Sequence, residues 1–314
     1  MKVLKWFGFG LVLLLLLIFA YVFFSYKINV NEHLRLNDEV RANAPGAFIE
    51  LTDGYTHYQL TGPDTAPTVV LVHGFSIPME IWGTTHRRLQ NAGYRVLRYD
   101  LFGRGYSDRP RTQYTGEVFE RQLLELLDGL NIEGPVVLAG LSMGGPIVMR
   151  FAANHSHRVL GTVLIAPLHQ PLQPPPMPER IGHIMLGAFY VPSIQQSFAA
   201  PYLTAEDAQA LQTAYSAQKE IRGFTQALTS SFYAFSAQDH REYYRQTREY
   251  GVPTMLVWGT HDNVVPYSHA EGVQNDALVV HMVTAEGAGH TPHLEQPELV
   301  NGYILAFIQD LTLE

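Results

Sequence analysis

A strand, a glycine-flanked serine and a helix follow one another near the middle of this chain. The apolar residues 136–139 precede Gly140-Leu141-Ser142-Met143-Gly144, and residues 143–155 are compatible with a helix. A serine on so tight a strand-to-helix turn has a strained backbone that points its hydroxyl into solvent. Side chains two residues before and after it would collide, which explains the glycine at both places. The pattern predicts a strand-turn-helix unit with Ser142 as a candidate nucleophile.

A serine nucleophile needs a general base and a carboxylate that orients the base. Residues 254–258 indicate a buried strand, and Asp262 lies in the loop after it. Residues 278–283 indicate the next strand, and His290 lies in the loop that follows. Because parallel strands present reactive groups at their carboxyl ends, we expect Ser142, Asp262 and His290 to form a catalytic triad. Asp239 is a weaker alternative for the acid.

Backbone amides that stabilise a developing negative charge are expected next to this serine. Residues 69–72 indicate a strand, and His73-Gly74-Phe75-Ser76 follows it. The amides of Phe75 and Met143 are the predicted oxyanion-hole donors. Loss of one such donor typically raises a reaction barrier by about 2.7–4 kcal/mol.

Other polar residues near these motifs have structural interpretations. We expect His73 to be a hydrogen-bonded structural histidine, because His290 already supplies the base. Asp100 precedes Gly103 and Gly105 in a loop, where a turn-stabilising role is expected. His290 and His293 have the spacing of a metal pair, but no third ligand stands at a zinc-site spacing. The sequence therefore predicts neither a metal nor a cofactor.

In chain order, these motifs resemble the α/β-hydrolase fold family, in its serine esterase and lipase branch. The resemblance covers most of residues 48–167 and 252–310. It depends on these segments: Asp53-Gly54, His73-Gly74-Phe75, Trp82, residues 99–108, residues 140–145, Gly259-Thr260-His261-Asp262, Gly289-His290 and Glu295-Gln296-Pro297. The stretch 73–76 together with an apolar N-terminus is also similar to membrane-anchored monoacylglycerol lipases.

The order of predicted elements favours a mostly parallel, doubly wound α/β sheet. A hairpin is expected at residues 48–60, around Asp53-Gly54. Strands at 68–72, 94–99, 135–139, 159–165, 254–258 and 278–283 alternate with helices near 79–92, 117–130, 143–155, 264–275 and 297–311, as crossover units require. Residues 47–167 and 251–314 are predicted to form this α/β-hydrolase core.

Residues 168–250 interrupt that alternation, and we call them the insertion. Five prolines forbid regular structure at its start: Pro171, Pro174, Pro175, Pro176 and Pro178. Helices are expected at 181–190 and 205–250, rich in aromatic residues. The resemblance implies that the insertion is a helical cap over the nucleophile. The alternative is a set of surface helices whose aromatic residues pack on the sheet.

Residues 6–24 contain no charged side chain. A helix of about 19 residues, at about 1.5 Å each, nearly crosses a ~30 Å hydrocarbon layer. Aromatic residues cluster at both ends, as at membrane interfaces. A cleaved signal peptide is the alternative, but the exit lacks small residues at a cleavage spacing. We therefore predict a transmembrane anchor, a polar linker over 29–46 and a catalytic domain outside the cytoplasm.

Charge and composition exclude several classes of function. The formal net charge of −8 and the absence of basic runs argue against nucleic-acid partners and against electrostatic docking on anionic lipid. The chain has no cysteine, which excludes disulfides, thiol nucleophiles and zinc–thiolate sites but leaves the compartment open.

The expected activity is hydrolysis of a small-molecule carboxylic ester, with a lipid-derived or medium-chain acyl group. Carbon–carbon bond hydrolases, perhydrolases and acyltransferases of the same fold use the same triad, so they remain alternatives. Epoxide and haloalkane hydrolysis are disfavoured, because a serine stands where those reactions need a carboxylate. A membrane-tethered binding protein that keeps a hydrolase body is the non-enzymatic alternative.

Overall fold

Eight strands form one continuous sheet in the computed structural model, which describes residues 2–174 and 176–313. Pro175 of the proline-rich segment lies outside the described residues. The strands are β1 (Ala47–Leu51), β2 (Gly54–Thr61), β3 (Thr68–Val72), β4 (Arg95–Tyr99), β5 (Val136–Leu141), β6 (Val159–Ile165), β7 (Thr254–Gly259) and β8 (Val279–Ala285). Their spatial order is β1-β2-β4-β3-β5-β6-β7-β8. The hairpin strands β1 and β2 pair antiparallel, β2 pairs antiparallel with β4, and all later pairs are parallel.

Central strands of the sheet are apolar along their whole length because both of their faces are covered. All residues of β3, β5 and β7 are buried. One hydrophobic cluster fills one face, with Phe119 and Val148 among its members. A second cluster fills the other face, with Leu89 and Ile304. The predicted α/β-hydrolase fold with a mostly parallel, doubly wound sheet is thereby confirmed.

Helices cover both faces of the sheet and connect its parallel strands. Their bounds are α1 (Lys2–Asn29), α2 (Asp38–Asn43), α3 (Gly83–Asn91), α4 (Gly116–Gly129), α5 (Gly144–Asn154), α6 (Glu179–Met185), α7 (Val191–Ser197), α8 (Ala205–Glu220), α9 (Phe224–Ser231), α10 (Arg241–Glu249), α11 (Ala270–Asp276), α12 (Pro292–Glu295) and α13 (Pro297–Leu313). The helix expected near 79–92 is a 3-10 turn over Met79–Trp82 followed by α3.

Helices α6 to α10 make up the insertion between β6 and β7. The range 205–250 is mostly helical, as expected, but it is divided into α8, α9 and α10, and the chain turns between α8 and α9. Gly223 has a φ of 93°, a conformation that glycine adopts without strain. The Glu32 carboxylate then accepts hydrogen bonds from the amides of Gly223 and Thr225, both at 2.7 Å, and so caps the start of α9. A π-helical segment, Leu186–Tyr190, joins α6 to α7, and another, Phe232–Ser236, follows α9.

The N-terminal helix α1 is longer than the predicted anchor at both ends. Its part Phe9–Asn29 is long and apolar enough to cross a membrane, and it has no buried residues in its most apolar window. Residues 29–46 are not a bare linker, because they contain α2 and because Leu34 pairs with Ile221 of the insertion. The segment after α1 is therefore folded against the insertion.

Candidate active site

Ser142 stands between β5 and α5 with a φ of 52°, in the left-handed region that non-glycine residues rarely adopt. A Cβ atom on Gly140 would lie 2.5 Å from the Gly144 carbonyl oxygen, and one on Gly144 would lie 2.3 Å from the Val72 carbonyl oxygen. The Ser142 amide donates to the Ile165 carbonyl at 2.9 Å. Both glycines are thus required by backbone contacts, and the strained serine is partly exposed, as the sequence predicts.

Asp262 and His290 meet in the loops after β7 and β8. The His290 Nδ1 atom lies 2.8 Å from Asp262 Oδ2. The other carboxylate oxygen accepts from the amides of Val264 and Val265, at 2.8 and 2.9 Å. The Asp262 side chain is fully buried, whereas 19% of the His290 side chain is exposed. Both carboxylate oxygens of Asp262 are therefore hydrogen-bonded, and one of them contacts the Nδ1 edge of a partly exposed imidazole.

The three predicted triad residues follow the carboxyl ends of the parallel strands β5, β7 and β8, at one edge of the sheet. Across residues 2–174 and 176–313, the side-chain hydrogen bonds join His290 to Asp262 but do not join His290 to the Ser142 hydroxyl. In unliganded enzymes such contacts are often long and tighten only when substrate binds. Asp262 and His290 are thus paired at the edge of the sheet that also carries Ser142.

The loop formed by residues 73–76, here called the oxyanion loop, lies directly beside the serine. A Cβ atom on Gly74 would stand 3.3 Å from Ser142 Cβ. Within the described chain, the amides of Phe75 and Met143 donate no hydrogen bond to another protein group. Two unoccupied amides beside a nucleophile match the requirement of an oxyanion hole.

His73 has the structural role that its position predicts. Its Nδ1 atom bonds the Gly74 carbonyl at 2.8 Å, and its Nε2 atom accepts from the Leu101 amide at 2.9 Å. Burial lowers the pKa of His73 to about 4. The neutral ring therefore connects the oxyanion loop to the end of β4.

Asp100 has a buried partner that the sequence did not identify. Its Oδ2 atom lies 2.6 Å from His57 Nδ1, and its oxygens also accept from the amides of Met79 and Tyr106, both at 2.9 Å. Burial alone would raise the pKa of Asp100, but the hydrogen bond and charge of His57 outweigh it and lower that pKa to about 2. Asp100 thus stabilises the loops around it, as expected.

Glu295 is a positioning residue that sequence reasoning missed. Its Oε2 atom accepts from the Gly289 amide at 2.6 Å, and its Oε1 atom accepts from the Thr291 amide and hydroxyl, both at 3.0 Å. The carboxylate therefore holds the backbone on both sides of His290. The available signal was an acidic residue five positions after the histidine, in the helix that follows it.

Side chains of the insertion contact the oxyanion loop, and no sequence motif predicts these contacts. The Tyr190 hydroxyl lies 2.9 Å from Ser76 Oγ, and the Tyr190 ring packs on Phe75 with centroids 5.7 Å apart. Gln218 donates to the Ser76 carbonyl at 2.7 Å. Below the loop, Arg104 donates to the Phe75 carbonyl at 2.8 Å, and burial lowers the pKa of this guanidinium to about 9.

The remaining candidates have partners of their own and do not bond Asp262 or His290. Asp239 is half exposed and paired with Arg241, so it is not placed to serve as the acid. His293 is buried against the Ile81 carbonyl at 3.2 Å, and burial lowers its pKa to about 4. No group of three potential metal ligands occurs among the residues that the structure describes. A cleft of about 600 Å³ between Arg109 and the start of α9 does not include Ser142 in its lining.

Known proteins share both the sequence pattern and the architecture. A family model described as the alpha/beta hydrolase family matches residues 69–302. A dihydrolipoyllysine-residue acetyltransferase component of an acetoin cleaving system, from Pseudomonas putida, is 30% identical over 261 residues, which is 80% of this chain and 66% of that protein. A 2-hydroxy-6-oxononadienedioate/2-hydroxy-6-oxononatrienedioate hydrolase from Burkholderia vietnamiensis is 28% identical over 82% of this chain and 92% of its own length.

Solved structures give the same picture of the fold. A thermophilic esterase from Thermogutta terrifontis superposes with a TM-score of 0.69 at 24% identity, covering 85% of this chain and 99% of its own. An enol-lactonase from Burkholderia xenovorans reaches a TM-score of 0.68 at 21% identity, over 84% of this chain and all of its own. At these identities the likeness establishes the fold.

Proposed function

Because the chain belongs to the alpha/beta hydrolase family, we propose that it is a serine hydrolase that cleaves carboxylic esters through an acyl-enzyme on Ser142. One observation carries the proposal: the strained serine stands at the same edge of the sheet as the Asp262–His290 pair, whose atoms are 2.8 Å apart. Ester hydrolysis needs a nucleophile, a group that carries a proton and donors that bind the oxyanion. We assign these roles to Ser142, His290 and two backbone amides at this edge.

In the first half of the reaction, Ser142 Oγ attacks the acyl carbon and His290 Nε2 takes the hydroxyl proton. The Asp262 contact holds Nδ1 protonated, which leaves Nε2 as the acceptor and stabilises the imidazolium that forms. The oxyanion is bound by the amides of Phe75 and Met143. His290 then returns the proton to the departing alcohol. In the second half, His290 takes a proton from a water molecule as its oxygen attacks the acyl carbon. His290 then gives that proton to Ser142 Oγ as the bond to the acyl group breaks, which releases the carboxylic acid and regenerates the free serine.

The proposed substrates are lipid-derived or medium-chain acyl esters, with the insertion acting as the cap. Phe75, beside the serine, packs against Tyr190 and Phe232, whose rings are 5.7 and 6.2 Å from it. Aromatic walls of this kind favour an apolar acyl chain. We also propose that α1 is a membrane anchor and that the catalytic domain lies outside the cytoplasm.

Carbon–carbon bond hydrolysis is the second candidate, because several relatives that are 28% identical carry that activity in their names. Those names describe dianionic substrates. Arg104, a cation that contacts the oxyanion loop, is fully buried, and its Nε and Nη1 atoms bond the carbonyls of Phe75 and Phe102 and Ser231 Oγ. This arrangement favours uncharged acyl esters over dianions.

Ser142→Ala tests the proposal. We expect this variant to lose both the hydrolysis of p-nitrophenyl esters and labelling by a fluorophosphonate probe, because no other nucleophile stands at the elbow. Ser268→Ala, which changes an exposed serine, is the matched control. Equal hydrolysis by Ser142→Ala and the parent would exclude the mechanism. A parent protein that the probe does not label would favour a binding protein, and a strict preference for acetyl over longer acyl chains would contradict the lipid assignment.

A further inference from the structure

The last turns of α1 are docked on the insertion. The ring of Tyr21 lies 5.9 Å from that of Phe189. One helical turn later, the Ser25 hydroxyl donates to the Ala188 carbonyl at 2.9 Å, and Asn29 donates to the same carbonyl at 3.1 Å. These contacts span two turns of the helix, so α1 meets the insertion along its side as well as at its end.

Close packing and a polar relay strengthen the same contact. A Cβ atom on Gly187 would lie 2.6 Å from a methyl group of Val30, so the absence of a side chain at Gly187 lets the Val30 side chain pack directly on the insertion. The Tyr26 hydroxyl lies 2.9 Å from His183 Nε2, and the other nitrogen of that ring lies 3.2 Å from Thr229 Oγ1. The insertion and α1 are therefore joined by both side-chain packing and hydrogen bonds.

Helix length fixes the depth of this contact. The charge-free residues 6–24 extend about 28 Å at about 1.5 Å per residue, close to the ~30 Å of a hydrocarbon layer. Tyr21 stands three residues before the end of this segment, or about 4.5 Å along the axis. If residues 6–24 span the layer, the Tyr21–Phe189 contact lies at its boundary, and the π-helical segment Leu186–Tyr190 is at the membrane surface.

Helix α6 leads into that segment and presents an apolar surface to solvent. Ile181, Ile184 and Met185 are 48, 38 and 37% exposed. Their spacing of three and four residues places them on one side of the helix. The opposite side is occupied, since Gly182 is buried against Tyr233 and His183 contacts α1 and α9. The exposed side chains Ile181, Ile184 and Met185 are called the lipid face below.

We propose that the lipid face inserts into the interfacial layer of the same bilayer that α1 crosses, so that acyl lipids reach Ser142 from the membrane. The inference rests on the proposed membrane span and ester hydrolysis. The path from the membrane to the serine is short, because two adjacent residues of the segment Leu186–Tyr190 contact both ends of it. Phe189 packs on Tyr21 of α1, and Tyr190 bonds Ser76 of the oxyanion loop. Because the chain is acidic overall, apolar insertion rather than attraction to anionic lipid supplies the contact.

A fluorescence quenching experiment tests the depth of the lipid face. The chain has no cysteine, so Ile184→Cys carries a single thiol for an NBD fluorophore. The full chain is placed in phosphatidylcholine nanodiscs that contain a lipid with a nitroxide at carbon 5 of its acyl chain. We expect strong quenching at position 184 and at Leu14→Cys within the span. We expect little quenching at Val264→Cys, which changes a residue that is 63% exposed in the loop after β7.

The outcomes separate this inference from the proposed function. Quenching at 14 without quenching at 184 would overturn it, and a lipid face that binds a protein instead would give that result. Equal quenching at 184 and 264 would also contradict it, because the whole domain would then lie on the bilayer. Fluorophosphonate labelling of the same nanodiscs reports separately whether Ser142 is reactive.

A charged substitution tests the route of the substrate. Ile184→Glu is expected to lower hydrolysis of a long-chain p-nitrophenyl ester dissolved in the bilayer about tenfold, the factor for about 1.4 kcal/mol. Hydrolysis of water-soluble p-nitrophenyl acetate should stay unchanged, and Tyr303→Glu, which changes a residue of α13 that is 52% exposed, should leave both rates unchanged. A loss of both activities in Ile184→Glu, or of neither, would contradict entry from the membrane.

Discussion

The edge of the sheet and the insertion above it contribute to one site by different means. At the edge, Ser142, Asp262 and His290 are held by backbone close to buried parallel strands, and the amides of Val264 and Val265 fix the acid. The insertion instead acts through side chains, since Tyr190 and Gln218 bond the oxyanion loop from helices far away in sequence.

Positioning by backbone at the sheet edge and by side chains in the insertion gives the two regions different roles. Backbone at strand ends is determined by the sheet itself, so the chemical groups hold their positions whatever covers them. The side-chain contacts of the insertion connect the oxyanion loop to α1, and they are the part of the site that the proposed membrane contact would alter. We therefore expect substitutions at the sheet edge to abolish turnover and substitutions in the insertion to tune it.

Asp262→Asn should have the largest effect on turnover. The amide has no negative charge to stabilise an imidazolium, and its NH2 group would donate to His290 Nδ1 and so favour the wrong tautomer of the ring. The equivalent change in a serine protease lowers kcat by roughly 10⁴-fold. Steady-state hydrolysis of a p-nitrophenyl ester measures the loss. Asp239→Asn, in the insertion, should leave kcat unchanged. A comparable loss of kcat in that variant would instead identify Asp239 as the acid of the triad.

Asp100→Asn should affect stability, because it breaks the fully buried pair with His57. Removing one partner of a buried ion pair typically costs about 3–5 kcal/mol. Burial lowers the pKa of His57, but Asp100 and the Pro45 carbonyl raise it by more, so the net shift is upward. The stabilisation from His57 is therefore lost as pH rises through its raised pKa, and that from Asp100 is lost as pH falls through about 2.

Urea unfolding of the full chain in detergent micelles measures this pH dependence. The stability difference between the parent and Asp100→Asn should be largest between about pH 4 and 6.5, above the unfolded pKa of aspartate and below that of histidine. It should shrink at pH 9. Asp128→Asn, which breaks an exposed pair with Arg158, is the control and should change stability little. A difference that is constant from pH 5 to pH 9 would contradict the pairing.

The sheet and its edge were predictable because local signals specify them. The glycines at 140 and 144 indicate a tight turn around Ser142. Apolar strands followed by polar loops indicate where Asp262 and His290 lie. The partners of these residues were not predictable in the same way. The pair of Asp100 with His57 depends on side chains that the sheet order brings together, for which the sequence carries no local pattern. Glu295 is different, because it lies five residues after His290 and bonds the backbone of the same loop.

The helices of the insertion were predicted less well for a related reason. Their helical periodicity continues past Ile221, and the turn at Gly223 depends on the Glu32 carboxylate, which stands almost 200 residues earlier in the chain. In the same way, nothing in the sequence around residue 190 indicates contact with α1 on one side and with the oxyanion loop on the other.

Tyr190→Phe should have the smallest effect and tests the insertion directly. The change removes only the hydroxyl that lies 2.9 Å from Ser76 Oγ and keeps the ring that packs on Phe75. One neutral hydrogen bond contributes about 0.5–1.5 kcal/mol, so kcat should fall roughly twofold to tenfold if the oxyanion loop shifts. Tyr267→Phe, which removes a hydroxyl 3.0 Å from Thr284 Oγ1 on the surface, is the matched control. An equal loss in both variants would indicate a general effect on stability, and unchanged kcat in Tyr190→Phe would show that the sheet edge orients the oxyanion loop without the insertion.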